Sequence, residues 1–300
     1  MKDFVFICDL HITGQSKVRS GDVLEDIANK LEYVVSYCLA NKATLLIGGD
    51  VFDKPSVPDY IKSRLAPILM KLRGDIYCVA GNHSRLYDNP EFNYKTSYNV
   101  WESHGVIKDL DSIEGVDFNE VYLTGQKPII TRGKPQIVVY HGFLNQEDGR
   151  NTLYYTDIQT TDPTYILLGH DHVEYEPLQY TSNVKIFRPG SFLRGIRQDA
   201  QYRTPIMVHI RANGEKLSFK NVPIQCRDFN EIFKTKEAKV TKAQVADTYD
   251  NIISQIRKAQ QADLTFDQAV SQVADPDVKE FIMNLHEQAK IDNQHKRQNL

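Results

Sequence analysis

Phe4-Val5-Phe6-Ile7-Cys8-Asp9-Leu10-His11 carries five apolar residues directly into a carboxylate and an imidazole. Four later stretches repeat the pattern. Leu45-Leu46-Ile47 runs into Gly48-Gly49-Asp50, and Ile76-Tyr77-Cys78-Val79-Ala80 into Gly81-Asn82-His83. Ile137-Val138-Val139-Tyr140 runs into His141, and Tyr165-Ile166-Leu167-Leu168 into Gly169-His170-Asp171-His172. Short unbroken apolar runs fit strands buried on both faces. Taken in order, the five point to strands that deliver carboxylate, amide and imidazole groups to one rim of a sheet. That is how a metal centre is built.

The chain around these runs has 300 residues, 41% hydrophobic and 25% charged, which suits a globular protein with one large domain and an appendage. A formal net charge of -3 provides no global basic field for nucleic acid or anionic lipid. Any grip on DNA must come from a local patch, from metals or from a partner. Cys8, Cys38, Cys78 and Cys226 are scattered and form no C-x-x-C pair, which suits a reduced, cytoplasmic setting. Met1-Lys2-Asp3 leads straight into a strand pattern without a signal-peptide core, and no apolar stretch approaches the ~20 residues of a membrane helix.

Helix-like and strand-like segments alternate from Phe4 to about Trp101. Helical spacing covers residues 22 to 40. Ser56 is placed as the cap of a second helix, and Asn89-Pro90 as the entry to a third. From Val121 to Ile210 strand signals dominate, at Val121–Thr124, Gln136–Tyr140, Tyr165–Leu168, Val184–Phe187 and Ile206–Ile210. The expected fold is α/β: two sheets packed as a sandwich, flanked by helices, over residues 1–223. Residues 224–300 read as a linker and a small helical segment, with narrow apolar stripes over 241 to 261 and 275 to 292.

Singly, each motif has an ordinary reading. Asp-x-His can be a polar strand end, Gly-Asp a turn, and Gly-Asn-His a turn with Asn at positive φ. Together, Asp9, His11, Asp50, Asn82, His141, His170 and His172 form a set of oxygen and nitrogen donors without thiolate. That set favours Mn, Fe or Zn over a structural cysteine-type zinc site.

Asp9-x-His11, Gly49-Asp50-x-Phe52-Asp53, Gly81-Asn82-His83, His141 and Gly169-His170-x-His172 resemble the signature of the calcineurin-like metallophosphoesterases over roughly residues 3 to 210. The resemblance implies two divalent cations, with Mn2+ as the expected metal. Asp9, His11, Asp50 and His172 would hold one, and Asp50, Asn82, His141 and His170 the other, with Asp50 bridging. His83 is similar to the family's non-ligand catalytic histidine, which touches the scissile phosphate or leaving oxygen. Metal-activated water would attack phosphorus.

Gly49-Asp50-Val51-Phe52-Asp53, the helix ending Leu69-Met70-Lys71-Leu72, and Arg188-Pro189-Gly190-Ser191 look like the SbcD-type DNA repair exonuclease subunits and their phage relatives. Asp263-Leu264-Thr265-Phe266, Ala269-Val270 and the Phe281/Leu285 helix resemble that family's docking segment for an SbcC-like SMC-type ATPase. Leu264, Phe266, Val270, Phe281 and Leu285 are then the expected partner contacts. Arg188, Arg194 and Arg197 are the expected DNA contacts, with Lys185 and Arg203 nearby and Phe192 and Tyr202 placed to stack on a base. A homodimer through the helical layer near 57 to 72 and 91 to 103 follows from the same resemblance. Ser84 departs from it, standing where the family usually carries Asp or Glu. Two rivals remain: a stand-alone phosphomonoesterase or cyclic-nucleotide phosphodiesterase on the same fold, and a metal-poor binding scaffold.

Overall fold

The computed structural model describes residues 2–233 apart from 17, 85, 87–89, 110–111, 114–115, 120–135, 146–151, 159, 161, 196–202 and 214–215. The strands, in chain order, are β1 (Lys2–Ile7), β2 (Ala43–Ile47), β3 (Ile76–Cys78), β4 (Lys108–Asp109), β5 (Ser112–Ile113), β6 (Val116–Asn119), β7 (Gln136–His141), β8 (Phe143–Leu144), β9 (Thr152–Leu153), β10 (Thr164–Gly169), β11 (Tyr175–Gln179), β12 (Val184–Arg188), β13 (Ile206–Asn213) and β14 (Lys216–Pro223). The first sheet has the order β14-β13-β1-β2-β3-β4 and the second β11-β12-β10-β7-β6-β5. β8 and β9 form a separate pair.

The alternation of side chains along a strand explains why the apolar runs are continuous. Phe4 and Phe6 of β1 pack with Ile137 and Val139 of β7, Leu167 of β10 and Phe187 of β12 between the two sheets. Val5 and Ile7 point the other way, into a core with Leu45, Ile47, Ile27, Leu31 and Leu65. Val138 and Tyr140 of β7, with Ile166 and Leu168 of β10, turn outward onto Leu153 and Ile158. The expected sandwich is present.

α1 (Val23–Asn41) and α2 (Asp59–Leu69) contribute to the core behind the first sheet. Asp22 caps α1 by accepting from the Glu25 N–H. Ser56 does not cap α2. Pro58 sits at the cap with extended backbone (ψ 147°), and the helix starts one residue after it. The Val57 N–H is instead taken by Ser97 Oγ at 2.9 Å. The third helical region is a 3-10 turn over Pro90–Lys95 followed by α3 (Ser97–Ser103), which Thr96 caps. α4 (Phe229–Ile232) is a single turn.

Cys8, Cys38 and Cys78 are buried free thiols. Among the described residues no helix is long and apolar enough to cross a membrane. By its internal contacts the chain divides into Met1–Lys234 and Thr235–Leu300. The strand expected at Val121–Thr124 and the helices expected over 241 to 261 and 275 to 292 lie outside the described residues, as do Leu264, Phe266, Val270, Phe281 and Leu285.

Candidate metal centre

β1, β2 and β3 run parallel, and so do β7 and β10. Their C-terminal ends therefore share a rim, the position where open α/β sheets present ligand-binding groups. β1 stops at Ile7, so Asp9 and His11 do not share a face by strand alternation. Both occupy the left-handed region, at φ 52° and 41°, as do Asp50 at 45° and His170 at 89°. That backbone costs roughly 1–2 kcal/mol per residue for a non-glycine, and here it clusters on the expected ligands. The turn is held by continued pairing beyond the strands. Asp9 N–H donates to Gly49 O, His11 N–H to Asp50 O and Ile12 N–H to Val51 O, at 3.2, 2.9 and 2.9 Å.

Two glycines make room. A Cβ on Gly49 (φ 95°) would run into the His141 ring, and one on Gly81 into the Asp50 carboxylate and amide.

Three clusters result, each with ligand atoms within 4.8 Å of one another: Asp9, His11 and His172; Asp50, His141 and His170; and His11, Asp53 and His83. Asn82 joins the second, its Oδ1 standing 3.1 Å from His141 Nε2. All seven expected ligands and His83 thus come to one rim. Asp50 lies between the first two clusters, its Oδ2 3.8 Å from His11 Nε2 and 3.4 Å from His141 Nε2. The Asp9 carboxylate accepts from the His170 N–H at 3.0 and 2.9 Å, tying the two sheets together.

The protonation pattern suits cations. Gly48 O can only accept, so His141 Nδ1, 2.8 Å away, carries the hydrogen. His141 Nε2 then aims at Asn82 Oδ1, His170 Nδ1 (3.2 Å) and Asp50 Oδ2. Lone pairs gathered in this way repel unless a proton or cation sits among them. In the first cluster, His11 Nε2 and His172 Nε2 stand 2.9 Å apart, 4.0 and 3.8 Å from Asp9 Oδ1. Burial opposes ionisation of Asp50, yet His141, His11 and His83 hold its carboxyl well below the usual range. Burial also opposes charge on His141, but Asp50 and Asp9 push it up to about 9. Burial, together with the neighbouring His141, pushes His170 down to about 4. The buried carboxylates thus favour positive charge on His11 and His141, while His170 is kept neutral beside them.

His83 opens a different edge. Its N–H donates to Asp50 Oδ1 at 2.9 Å, and its Nδ1 donates to the Asp53 carbonyl at 2.6 Å. Nε2 is left as the nitrogen available for proton transfer. Asp9, Asp50 and His141 are buried, whereas His83, Asn82, His170 and His172 are partly exposed. Asp53 is the contribution that the sequence reading underused. Its carbonyl orients His83, and its carboxylate stands 3.6 Å from His11 Nδ1. Its place three residues after Asp50 was the available signal. Ser84 is buried, and its hydroxyl has no hydrogen-bond partner.

The expected DNA contacts are distributed otherwise. Arg194 is buried, and its guanidinium donates to Arg203 O, Arg227 O and Cys226 Sγ, so it is an internal strut and not a phosphate contact. Phe192 is packed in the core and offers no face to a base. Arg203 donates inward to Ser191, and Lys185 lies over the Phe219 ring. Arg188 is half-buried with its guanidinium 3.7 Å from the Tyr175 ring centroid. Arg197 and Tyr202 lie outside the described residues.

Residues 3–174 match the family described as calcineurin-like phosphoesterase. The chain belongs to that family. Calcineurin-like phosphoesterases are metal-dependent hydrolases, and the donor clusters above are the candidate ligands of this member. No curated protein sequence matches this calcineurin-like chain. Among solved structures it is similar to a 5′-nucleotidase of Candida albicans SC5314, at 14% identity and a TM-score of 0.43, over 81% of this chain. The chain spans 56% of that nucleotidase.

Proposed function

We propose that this phosphoesterase is a two-metal DNA phosphodiesterase that acts as the nuclease subunit beside an SbcC-like ATPase. The observation that carries its hydrolytic part is the meeting of seven O and N donors and His83 at one rim, with Asp50 between the two main clusters. Asp9, His11, Asp50 and His172 hold one divalent cation. Asp50, Asn82, His141 and His170 hold the other. The absence of thiolate and the mixture of carboxylate, amide and imidazole support Mn, Fe or Zn, and Mn2+ is the ion proposed. Bound there, the two ions supply Lewis-acid polarisation of the phosphoryl group and a lowered pKa for the attacking water. The protein's own part is to fix both positions through Asp50 and to present His83 Nε2 to the leaving oxygen.

The DNA assignment rests on the SbcD-like stretches around Asp50 and at Arg188-Pro189-Gly190-Ser191. Of Arg188, Arg194 and Arg197, Arg188 is the one at a described, partly exposed position. Turnover of linear duplex DNA, bis-p-nitrophenyl phosphate and p-nitrophenyl phosphate with manganese tests the reading. The diesters should be preferred, and DNA cleavage should rise with the ATPase present. Preference for the monoester would make the chain a phosphomonoesterase and end the nuclease proposal.

The partner is tested separately. Deletion from Asp263 onward is expected to abolish ATPase binding while sparing metal-dependent hydrolysis of the small diester. Co-purification of the truncated chain with the ATPase would refute this role for Leu264, Phe266, Val270, Phe281 and Leu285.

A further inference from the structure

The segment Gly190–Arg194 follows β12, turning at Gly190 (φ 71°) and at Arg194 (φ 53°). Its carbonyls are taken by side chains from distant parts of the chain. Gly190 O accepts from Cys8 Sγ at 3.4 Å. Ser191 O accepts from the Arg203 guanidinium, which also reaches Ser191 Oγ at 3.1 Å. Phe192 O accepts from Lys30 Nζ at 2.5 Å, and the same nitrogen lies 4.4 Å from the Phe192 ring centroid. Leu193 O and Arg194 O both accept from Arg19, at 2.6 and 3.1 Å. Four successive carbonyls are thus held by three basic side chains. Lys30 and Arg19 are each only 2% exposed. Burial opposes charge on both; Arg19 is offset by Asp26 at 2.9 Å, whereas an apolar residue in place of Lys30 on α1 would pack without that cost.

Two amides of this segment bond to the backbone beside the metal centre. Ser191 N–H donates to His172 O at 3.1 Å, and Phe192 N–H donates to Cys8 O at 3.0 Å. Cys8 immediately precedes Asp9 at the end of β1 in the first sheet. His172 follows β10 in the second. One strap therefore spans the seam between the sheets and holds the backbone beside two members of the same donor cluster, Asp9 and His172. The other cluster has a support of its own in the Gly48 carbonyl on His141, and its link to the strap runs through the His170 N–H on the Asp9 carboxylate.

We propose that Lys30, Arg19 and Arg203 are positioning residues for one of the two metal positions, the one formed by Asp9, His11 and His172. They pull on the strap carbonyls and so set where the Cys8–Asp9 and His172 backbones stand. This rests on the two-metal reading above. It predicts an asymmetric defect that general loss of packing would not produce.

The test is manganese titration of the full chain by calorimetry, comparing wild type with Arg203→Met, Arg203→Lys and Lys30→Met, and with His172→Ala and His170→Ala as references. Wild type should bind two ions. Arg203→Met and Lys30→Met should weaken one of them by about 10–100-fold, as loss of outer-shell partners does, and leave the other near its wild-type affinity. Adding His172→Ala should cost little more at the weakened position, whereas adding His170→Ala should weaken both. Arg203→Lys should recover part of the loss. Thermal unfolding in chelator shows whether each variant is folded. Should Lys30→Met fail to fold, Arg203→Met, altered at a half-buried side chain, decides. Wild-type affinity at both positions in a folded Arg203→Met, or equal weakening of both, overturns the proposal. A wild-type chain that binds no manganese overturns the metal reading itself, and the strap's role with it.

Discussion

Asp50→Asn is expected to reduce manganese-dependent phosphodiester hydrolysis by at least about 10³-fold, the scale of losing a preorganised electrostatic element. The Asp50 carboxylate lies within 4 Å of imidazole nitrogens from both donor clusters, and it also accepts the His83 N–H. An amide there keeps the shape and removes the charge. Cation binding should therefore fall while the fold in chelator persists.

The same variant has a signature in the metal-free protein. The carboxylate holds His141 protonated up to about pH 9. A folded-state pKa raised above the ordinary 6.5 contributes stability that is fully present below about 6.5 and is lost as pH climbs through about 9. In Asp50→Asn the counter-charge is gone and burial remains, so the His141 titration should move down and that pH dependence should shrink. Proton NMR of the imidazole in chelator reads the shift. Metal uptake by wild type must displace the His141 proton, so below about pH 9 binding should release a proton and weaken as pH falls. Near-normal turnover by Asp50→Asn would remove the bridging role.

His83→Ala is expected to lower DNA cleavage by about 10²–10⁴-fold, the usual worth of a positioned acid or base, with both cations still bound. The imidazole is oriented by the Asp53 carbonyl, which leaves Nε2 for proton transfer. It belongs to no cluster that needs it for the two proposed metal positions. A leaving group that requires no proton should escape most of the loss. Bis-p-nitrophenyl phosphate should therefore suffer much less than DNA in kcat, with manganese stoichiometry unchanged. Equal losses on both substrates would argue against a proton donor. Loss of bound metal would make His83 a ligand.

The sheets and the donor set were legible in the sequence because both are written in local pattern. An apolar run of three to five residues is a doubly buried strand, and the polar group that ends it must sit at the strand's C-terminal end. Asp9, Asp50, Asn82, His141, His170 and His172 follow from that logic alone. Capping was less legible. Ser56 has the right chemistry, but the restricted backbone at Pro58 moves the helix start beyond it.

What the chain determined by itself was therefore its sequence of strands and which donors they carry. Tertiary structure decided which donors meet, and by what backbone. Asp9, His11, Asp50 and His170 reach the rim through left-handed turns that no period-two pattern encodes. It also decided the fate of the basic residues around position 190. Read as a line, Arg194 and Phe192 resemble a surface for DNA. Folded, one is an internal strut and the other is core, because their partners, Lys30, Arg19, Arg203 and Arg227, come from α1, its approach and the chain around β13 and β14. A local pattern reports how a segment meets its own neighbours. It carries no information about a hydrogen bond that closes across more than 160 residues, such as Lys30 to Phe192.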